Sequence, residues 1–350
     1  MARLFERLFP SAARAVELAL TDPRTPIRSP WSSTSLSRVA LADLEGLAPG
    51  EVQRSQAMKV PSVVRSRGLI CGTLSRYPLS RWEGDTKLTP APWMVSTNTG
   101  QSPRIRMLWT LDDMFFSGLG LWAVERGPNG ESGNITDALR VPPGQWNVQP
   151  DTGIVLVDGR PASTEEVILF EGPQEGLLTI ADGAIVASRD MTRAWAARVE
   201  APVPLIVVKQ TDTALQLDED EIDDMLDDFE KARRNGGSVF GPRGYDIDIE
   251  GDVKTDLFVE GRNAERIDFG NYANMPAAML DGSLSTATLT YSTTEGKRSE
   301  FVDFSLAYWA MPIEARLSQD DVLPNGQDCR FDLQWLTTST QPATNPGQED

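Results

Sequence analysis

Carboxylates are the residues with the most chemistry to offer in this chain. Nine of the thirteen residues from Asp218 to Glu230, within LDEDEIDDMLDDFEKARRNGG, are acidic, and a second acidic string, DIDIEGD, fills 246–252. Such residues could hold hard cations through oxygen, for example in a two-metal nuclease with Asp220, Asp224, Asp246 and Asp248 as ligands. The second string also imitates the start of a calcium loop, with Asp246, Asp248 and Glu250 followed by Gly251 at the sixth place. The twelfth position of such a loop needs a bidentate glutamate, and here it is Leu257. The chain has no histidine and only two cysteines, Cys71 and Cys329. Histidine-based nucleophile systems and general bases are therefore excluded, as are histidine metal sites. No catalytic residue, metal or cofactor is expected, and a non-enzymatic role follows.

The elements that carry the acids argue the same way. Ile222, Met225, Leu226 and Phe229 fall at i, i+3, i+4 and i+7 within the first run, so its acids line the solvent side of an amphipathic helix. Acid leads and Lys231, Arg233 and Arg234 trail, in keeping with the helix dipole. In the second string Ile247 and Ile249 alternate with acids, the pattern of a strand with an acidic outer side.

The organising stretch is Thr255 to Leu317. A helix-compatible run, DLFVEGRNAERIDFGNYAN, meets Met275-Pro276, and Pro276 is expected to end it. A polar segment without a core pattern follows, and a second long helix is expected from near Glu295 to Leu317. Its Val302, Leu306, Trp309, Ile313 and Leu317 share one face. Earlier in the chain, a helix within 54–77 places Val60, Val64, Leu69 or Gly68, Cys71 and Leu74 roughly on one face, and Pro78 closes it. A helix from Arg104 to Leu121 carries Ile105, Leu108, Leu111, Met114 or Phe115, and Leu119. Antiparallel strands are expected through GLWAVER, QWNVQP, GIVLVDG and EEVILFEG, with a Gly-Pro-Asn-Gly turn after the first. Residues 176–199 predict a helix lined by Leu177, Ala181, Ala184, Ser188, Met191, Trp195 and Val199, and PVPLIVVKQ predicts a strand. The proline- and serine-rich residues 1–50 read as an arm, and the last residues as a polar tail. The first twenty residues lack a secretory signal pattern, and no apolar run approaches bilayer length.

The order of these pieces resembles the tailed-bacteriophage portal protein (head–tail connector) family over roughly residues 54–333. The helix VPSVVRSRGLICGTLSRYPLSRW comes first, then LLTIADGAIVASRDMTRAWAARV and the acidic helix. AERIDFGNYANMPAAML then leads into TYSTTEGKRSEFVDFSLAYWAMPIEARL. The family often has Phe-Gly-Val-Pro where this chain reads Asn274-Met275-Pro276 after Tyr272-Ala273.

The resemblance implies an α+β portal fold assembled as a ring, usually of twelve copies, at one capsid vertex. Double-stranded DNA would pass through its tunnel. Terminase large subunit, a head–tail adaptor and the major capsid protein would be its partners, in the virion after assembly in the host cytoplasm; a gene-transfer-agent portal does the same physical work. Mapped onto this chain, it implies an N-terminal arm at 1–50, a wing at 51–172, a stem helix at 173–199 and a clip at 200–252. A second stem helix at 253–275, a tunnel loop at 276–292, a long wing helix at 293–325 and a small crown or disordered tail at 326–350 complete the map. Tunnel-loop residues would be Met275, Pro276, Leu280, Asp281, Ser283, Thr286, Thr288 and Tyr291. Docking on the clip would use Asp218, Asp220, Ile222, Met225, Phe229, Arg233 and Arg234. Stem packing would use Ala181, Ala184, Met191, Trp195, Ala264 and Ile267.

Charge fits a conduit. The first 150 residues hold 17 basic and 13 acidic side chains; the remainder hold 16 and 38, giving −18 overall. Twelve copies would carry 12 × −18, or −216. Such a surface repels phosphates and leaves a duplex free to slide, whereas a basic lining would hold it through counterion release.

Overall fold

The computed structural model describes residues 52–95, 101–127, 135–149, 152–163, 165–200, 205–210, 218–234, 245–250, 259–280 and 300–333. In chain order its elements are α1 (Arg54–Ala57), α2 (Pro61–Leu74), β1 (Leu79–Glu83), β2 (Thr86–Leu88), α3 (Pro92–Val95), α4 (Pro103–Ser117), β3 (Leu119–Arg126), β4 (Ile135–Arg140), β5 (Trp146–Val148), β6 (Val155–Val157), β7 (Arg160–Pro161) and β8 (Val167–Glu171). Then follow α5 (Leu177–Ile180), α6 (Asp182–Glu200), β9 (Leu205–Gln210), α7 (Glu219–Arg234), β10 (Tyr245–Glu250), α8 (Val259–Tyr272) and α9 (Ala277–Leu280). A π-helical turn, Phe301–Leu306, runs directly into α10 (Ala307–Leu317), and β11 (Gln327–Phe331) is the last element. Among the described residues no helix is long and apolar enough to cross a membrane.

Two compact units are present: Met1–Ile185 with Glu265–Asp350, and Val186–Ala264. The first holds three antiparallel three-stranded sheets, ordered β11-β1-β2, β4-β3-β8 and β5-β6-β7. Its main core joins Val63, Ile70, Leu111, Trp122, Phe170, Leu306, Trp309 and Ile313. A second cluster, including Leu121, Val141, Val155 and Leu169, fills the space between the β3 and β6 sheets. Alternation along β3 explains both, because Trp122 and Val124 face one cluster while Leu121 and Ala123 face the other. The buried Arg106 fastens α4 by donating to the carbonyls of Ala138 and Trp93, and it lies 4.5 Å over Trp122. Burial lowers its pKa to about 10.

Three expectations on this unit need correcting. Val64 and Ile105 are exposed, because the buried faces of α2 and α4 are built from Val63, Ile70 and Cys71 and from Met107, Leu111 and Met114. Leu119 is not in a helix: Gly118, at φ 80, stops α4 in the left-handed region and Leu119 opens β3. The chain at 326 does not begin a crown or tail, since β11 pairs residue for residue with β1, Leu79 opposite Phe331 and Glu83 opposite Gln327. Residues 1–50 and the end of the chain from 334 lie outside the described residues, as does the turn expected at 127–130 beyond Gly127.

The second unit contains the β9–β10 pair, antiparallel with Leu205 opposite Glu250 and Gln210 opposite Tyr245. Between these strands in sequence runs α7, as the acidic periodicity predicts. Asp246 and Asp248 therefore sit in a regular strand and not in a calcium loop.

Candidate functional site

The segment joining α8 to the π turn is the centre of the molecule's functional reading, so its two anchors matter most. On the incoming side α8 stops at Tyr272, before Pro276 can act. Asn274 adopts φ 52, and the amides of Met275 and Asn274 donate to the carbonyls of Gly270 (2.8 Å) and Asn271 (3.2 Å). This left-handed cap satisfies carbonyls that the helix end leaves open, and asparagine tolerates the conformation better than other non-glycine residues. Pro276 follows the stop; it does not cause it.

On the outgoing side the chain resumes in the π turn. Phe301, Ser305 and Leu306 point inward while Phe304 is 68% exposed. Trp309, Ile313 and Leu317 then continue the buried face, as the periodicity predicts, and Pro312 lies inside α10. Two hydrogen bonds clasp the anchors together. Asn274 Nδ2 donates to the Phe304 carbonyl at 3.1 Å, and Trp309 Nε1 donates to the Ala273 carbonyl at 3.1 Å. Tyr308 Oη reaches the Pro173 carbonyl (3.3 Å), and Gln174 Nε2 donates to the Tyr272 carbonyl (2.5 Å), which adds the chain before α5 to the clasp.

Met275 and Leu280 are buried in the main core and Pro276 is half-buried. They hold the base of the segment in place and cannot form a projecting tip. Close packing explains this, since a Cβ at Gly270 would come 2.8 Å from Leu280 Cδ1. Asp281, Ser283, Thr286, Thr288 and Tyr291 lie outside the described residues.

Of the expected stem residues, Ala181 is buried, and Ala184, Met191 and Trp195 are half-buried. Met191 faces Gly261, where an added Cβ would lie 3.5 Å from its Cε, and Arg262 stacks over Trp195 at 5.3 Å. Ala264 and Ile267 are exposed within the single chain, so α6 meets α8 through Gly261 and Arg262 instead. The glycine's lack of a side chain was the available signal, and the sequence reading passed over it.

Asp218, just before α7, is exposed, as are Asp220 and Ile222 on the helix; Met225 is half-buried, while Phe229, Arg233 and Arg234 occupy the last turns. Among the described residues no group of three or more Cys, Asp or Glu side chains converges as a metal ion would require. Both cysteines are free and buried, and burial raises their pKa values well above the ordinary thiol range.

The charged cluster that the sequence reading missed lies on α1, α2, α4 and β4. Asp112 accepts from Arg54 Nε (2.9 Å) and Arg67 Nε (2.6 Å), and Arg140 holds Asp113 through two bonds of 2.6 Å. Burial pushes Asp113 up to about 7, against the opposing pull of Arg140.

A solved structure settles the class. An HK97-family phage portal protein from Corynebacterium diphtheriae is 30% identical, with a TM-score of 0.68 over 83% of this chain and 98% of its own. The chain belongs to the HK97 family of phage portal proteins. Portal, or head–tail connector, is therefore its functional class. The portal fold is seen again in a chain from the virion of a native gene transfer agent particle, at 17% identity and TM-score 0.54, with 90% of this chain and 89% of that one covered. A chain from the neck of the native gene transfer agent particle computed with C12 symmetry gives 19% and 0.52, with 88% and 86% covered. No family profile and no curated protein sequence matches the chain.

Proposed function

We propose that this portal chain is one subunit of a ring, of twelve copies, seated at one capsid vertex of the virion and assembled in the host cytoplasm. Double-stranded DNA passes through its tunnel during packaging and ejection. The terminase large subunit docks on it first and a head–tail adaptor later, with the major capsid protein around it. Its role is mechanical, not enzymatic. The observation that carries this reading is the 30% identity to a portal protein across 98% of that chain. The formal charge of −18 per copy supports it, because a conduit must enclose DNA without gripping it.

Within the chain, the wing takes 51–172 and the helix that ends at Leu317, to which β11 is added. The stem takes α6 and α8, and the clip takes 200–252, including β9, α7 and β10. The tunnel loop starts after Leu280, with Asp281, Ser283, Thr286, Thr288 and Tyr291 as its members. The exposed acids and apolar side chains of α7, Asp220 and Ile222 among them, form the docking face of the clip.

Native mass measurement and end-on electron images of the purified protein test the assembly, which should give closed rings with an axial hole. A gel-shift titration with duplex DNA should show no retention even at low salt. A chain that stays monomeric at every concentration tried, or binds DNA with a steep salt dependence, sinks the proposal. The fold shared with gene transfer agent chains is also compatible with a gene-transfer-agent portal. Sequencing the DNA packaged in particles that contain this chain separates the two.

A further inference from the structure

The buried face that leads into α10 changes its spacing at the π turn. Phe301, Leu306, Trp309, Ile313 and Leu317 are all buried, at intervals of 5, 3, 4 and 4. A continuous α-helix needs a first interval of 4, which Val302 supplies. Val302 instead stands half-buried against the main core, one residue out of place. The amide of Ala307 donates to the carbonyl of Val302, five residues back, so the turn holds one extra residue. Two neighbouring apolar side chains thus compete for one place in the core, and the larger occupies it.

The π turn leaves a polar group unsatisfied. Ser305 is fully buried, and its hydroxyl has no hydrogen-bond partner. Elsewhere Thr110, Ser117, Thr192 and Ser318 each donate to the carbonyl four residues back, at 2.8, 2.6, 3.0 and 2.7 Å. The α spacing would bring the Phe301 carbonyl within the same reach of Ser305. Ser66 of α2, the helix packed on the π turn, is also buried with an orphaned hydroxyl. Such groups are rare in folded proteins, and these two lie on elements that meet. Opposing this are the deep burial of Phe301 and the bond from Asn274 Nδ2 to the Phe304 carbonyl, at 3.1 Å. Asn274 and Phe304 are both exposed, so water competes for that bond.

We infer that this stretch has two registers: the π turn with Phe301 in the core, and a continuous α-helix with Val302 in its place. The Asn274 bond selects the first, because it fixes the Phe304 carbonyl at a point that the α register vacates. Passing from one register to the other turns Glu300 by about 100° and moves it by about 1.5 Å along the axis, the rotation and rise of one residue. Glu300 is where the described chain resumes after residues 281–299, and Asn274 lies before their start. The bond therefore ties the two ends of that stretch to one register. The exchange takes place within a single chain, so it can be tested with or without rings.

The measurement, on the full-length protein, is the rate at which a maleimide labels the thiol introduced by Val302→Cys. Cys71 and Cys329 are buried and add little background. Adding Asn274→Gly, which keeps the left-handed backbone, should slow labelling by about fivefold or more, because the introduced thiol moves into the core. Simple loosening would speed it. Adding Ser305→Ala as well removes the orphaned hydroxyl and should return most of the lost rate. An unchanged or faster rate with Asn274→Gly overturns the second register, as does failure of Ser305→Ala to restore the rate. Should Val302→Cys fold poorly, the exchange Phe301→Val with Val302→Phe puts the larger side chain where the α register needs it. In that chain Asn274→Gly should leave the melting temperature unchanged while lowering it in the parent. An equal loss in both would overturn the inference.

Discussion

Trp309→Ala and Trp309→Phe separate the two ways in which one side chain ties α10 to the end of α8. Trp309 is fully buried, packs on Phe115, and donates to the carbonyl of the buried Ala273. Truncating a buried tryptophan to alanine costs about 3–5 kcal/mol through lost burial and the cavity left behind. The phenylalanine variant keeps most of the packing but leaves the Ala273 carbonyl without its donor, a cost of about 1–3 kcal/mol. At about 2–4 °C per kcal/mol for a domain of this size, the alanine variant should melt roughly 6–20 °C lower and the phenylalanine variant roughly 2–12 °C lower. Calorimetry and far-ultraviolet circular dichroism on the same samples provide the measurement. An alanine variant within about 1 kcal/mol of the parent would refute the claim that this residue anchors the helix. Equal melting of parent and phenylalanine variant would refute the hydrogen-bond part alone.

Asn274→Gly keeps the left-handed backbone and loses the bond to the Phe304 carbonyl, whereas Asn274→Ala loses the bond and strains the backbone. Alanine should therefore be the less stable by about 1 kcal/mol in urea titrations. Gly176→Ala would drive a Cβ into the Phe116 carbonyl oxygen and the Ser117 carbonyl carbon, both backbone atoms that cannot move aside, so it should fail to give soluble protein. Gly183→Ala, with nothing within 4 Å, should be neutral or stabilising by up to about 1 kcal/mol in thermal melts. For Asp113 the folded pKa of about 7 lies above the ordinary 3.8, so the folded chain binds the extra proton between those values. Its contribution to stability falls as pH climbs from about 4 to about 7, by up to about 1.4 kcal/mol per unit, and Asp113→Asn should flatten that slope in pH-dependent denaturation.

The sequence carried the helices whose faces follow a simple period. Leu306, Trp309, Ile313 and Leu317 are buried as their spacing requires, and the acidic α7 and the alternating Ile247 and Ile249 fall in a helix and a strand. It misled where two neighbouring residues compete for one face: Val63 goes inward and Val64 outward, because α2 packs on both α4 and the π turn. Asn274 was a readable stop signal overshadowed by Pro276. The π turn had no visible mark, since one extra residue in a helix leaves the composition unchanged. The Arg54–Asp112–Arg67 cluster joins side chains 58 and 45 residues apart, and only the packed chain brings them together. The same holds for Met275 and Leu280, whose burial depends on the bare backbone of Gly270. At the candidate site the two anchors could be placed from the sequence to within a few residues, but not the clasp between them.

The pairing of β1 with β11 has a consequence for synthesis. Ser80 Oγ donates to the carbonyl of Arg330, 250 residues further on, and Trp82 Nε1 in turn donates to Ser80 Oγ. At roughly 5–20 residues per second on the ribosome, β1 waits roughly 10–50 s for its neighbour on that side. During that interval its edge stays open to other nascent chains, a hazard for any unpaired strand. A truncation ending at residue 326 would make the delay permanent, and such a fragment should aggregate where the complete chain folds.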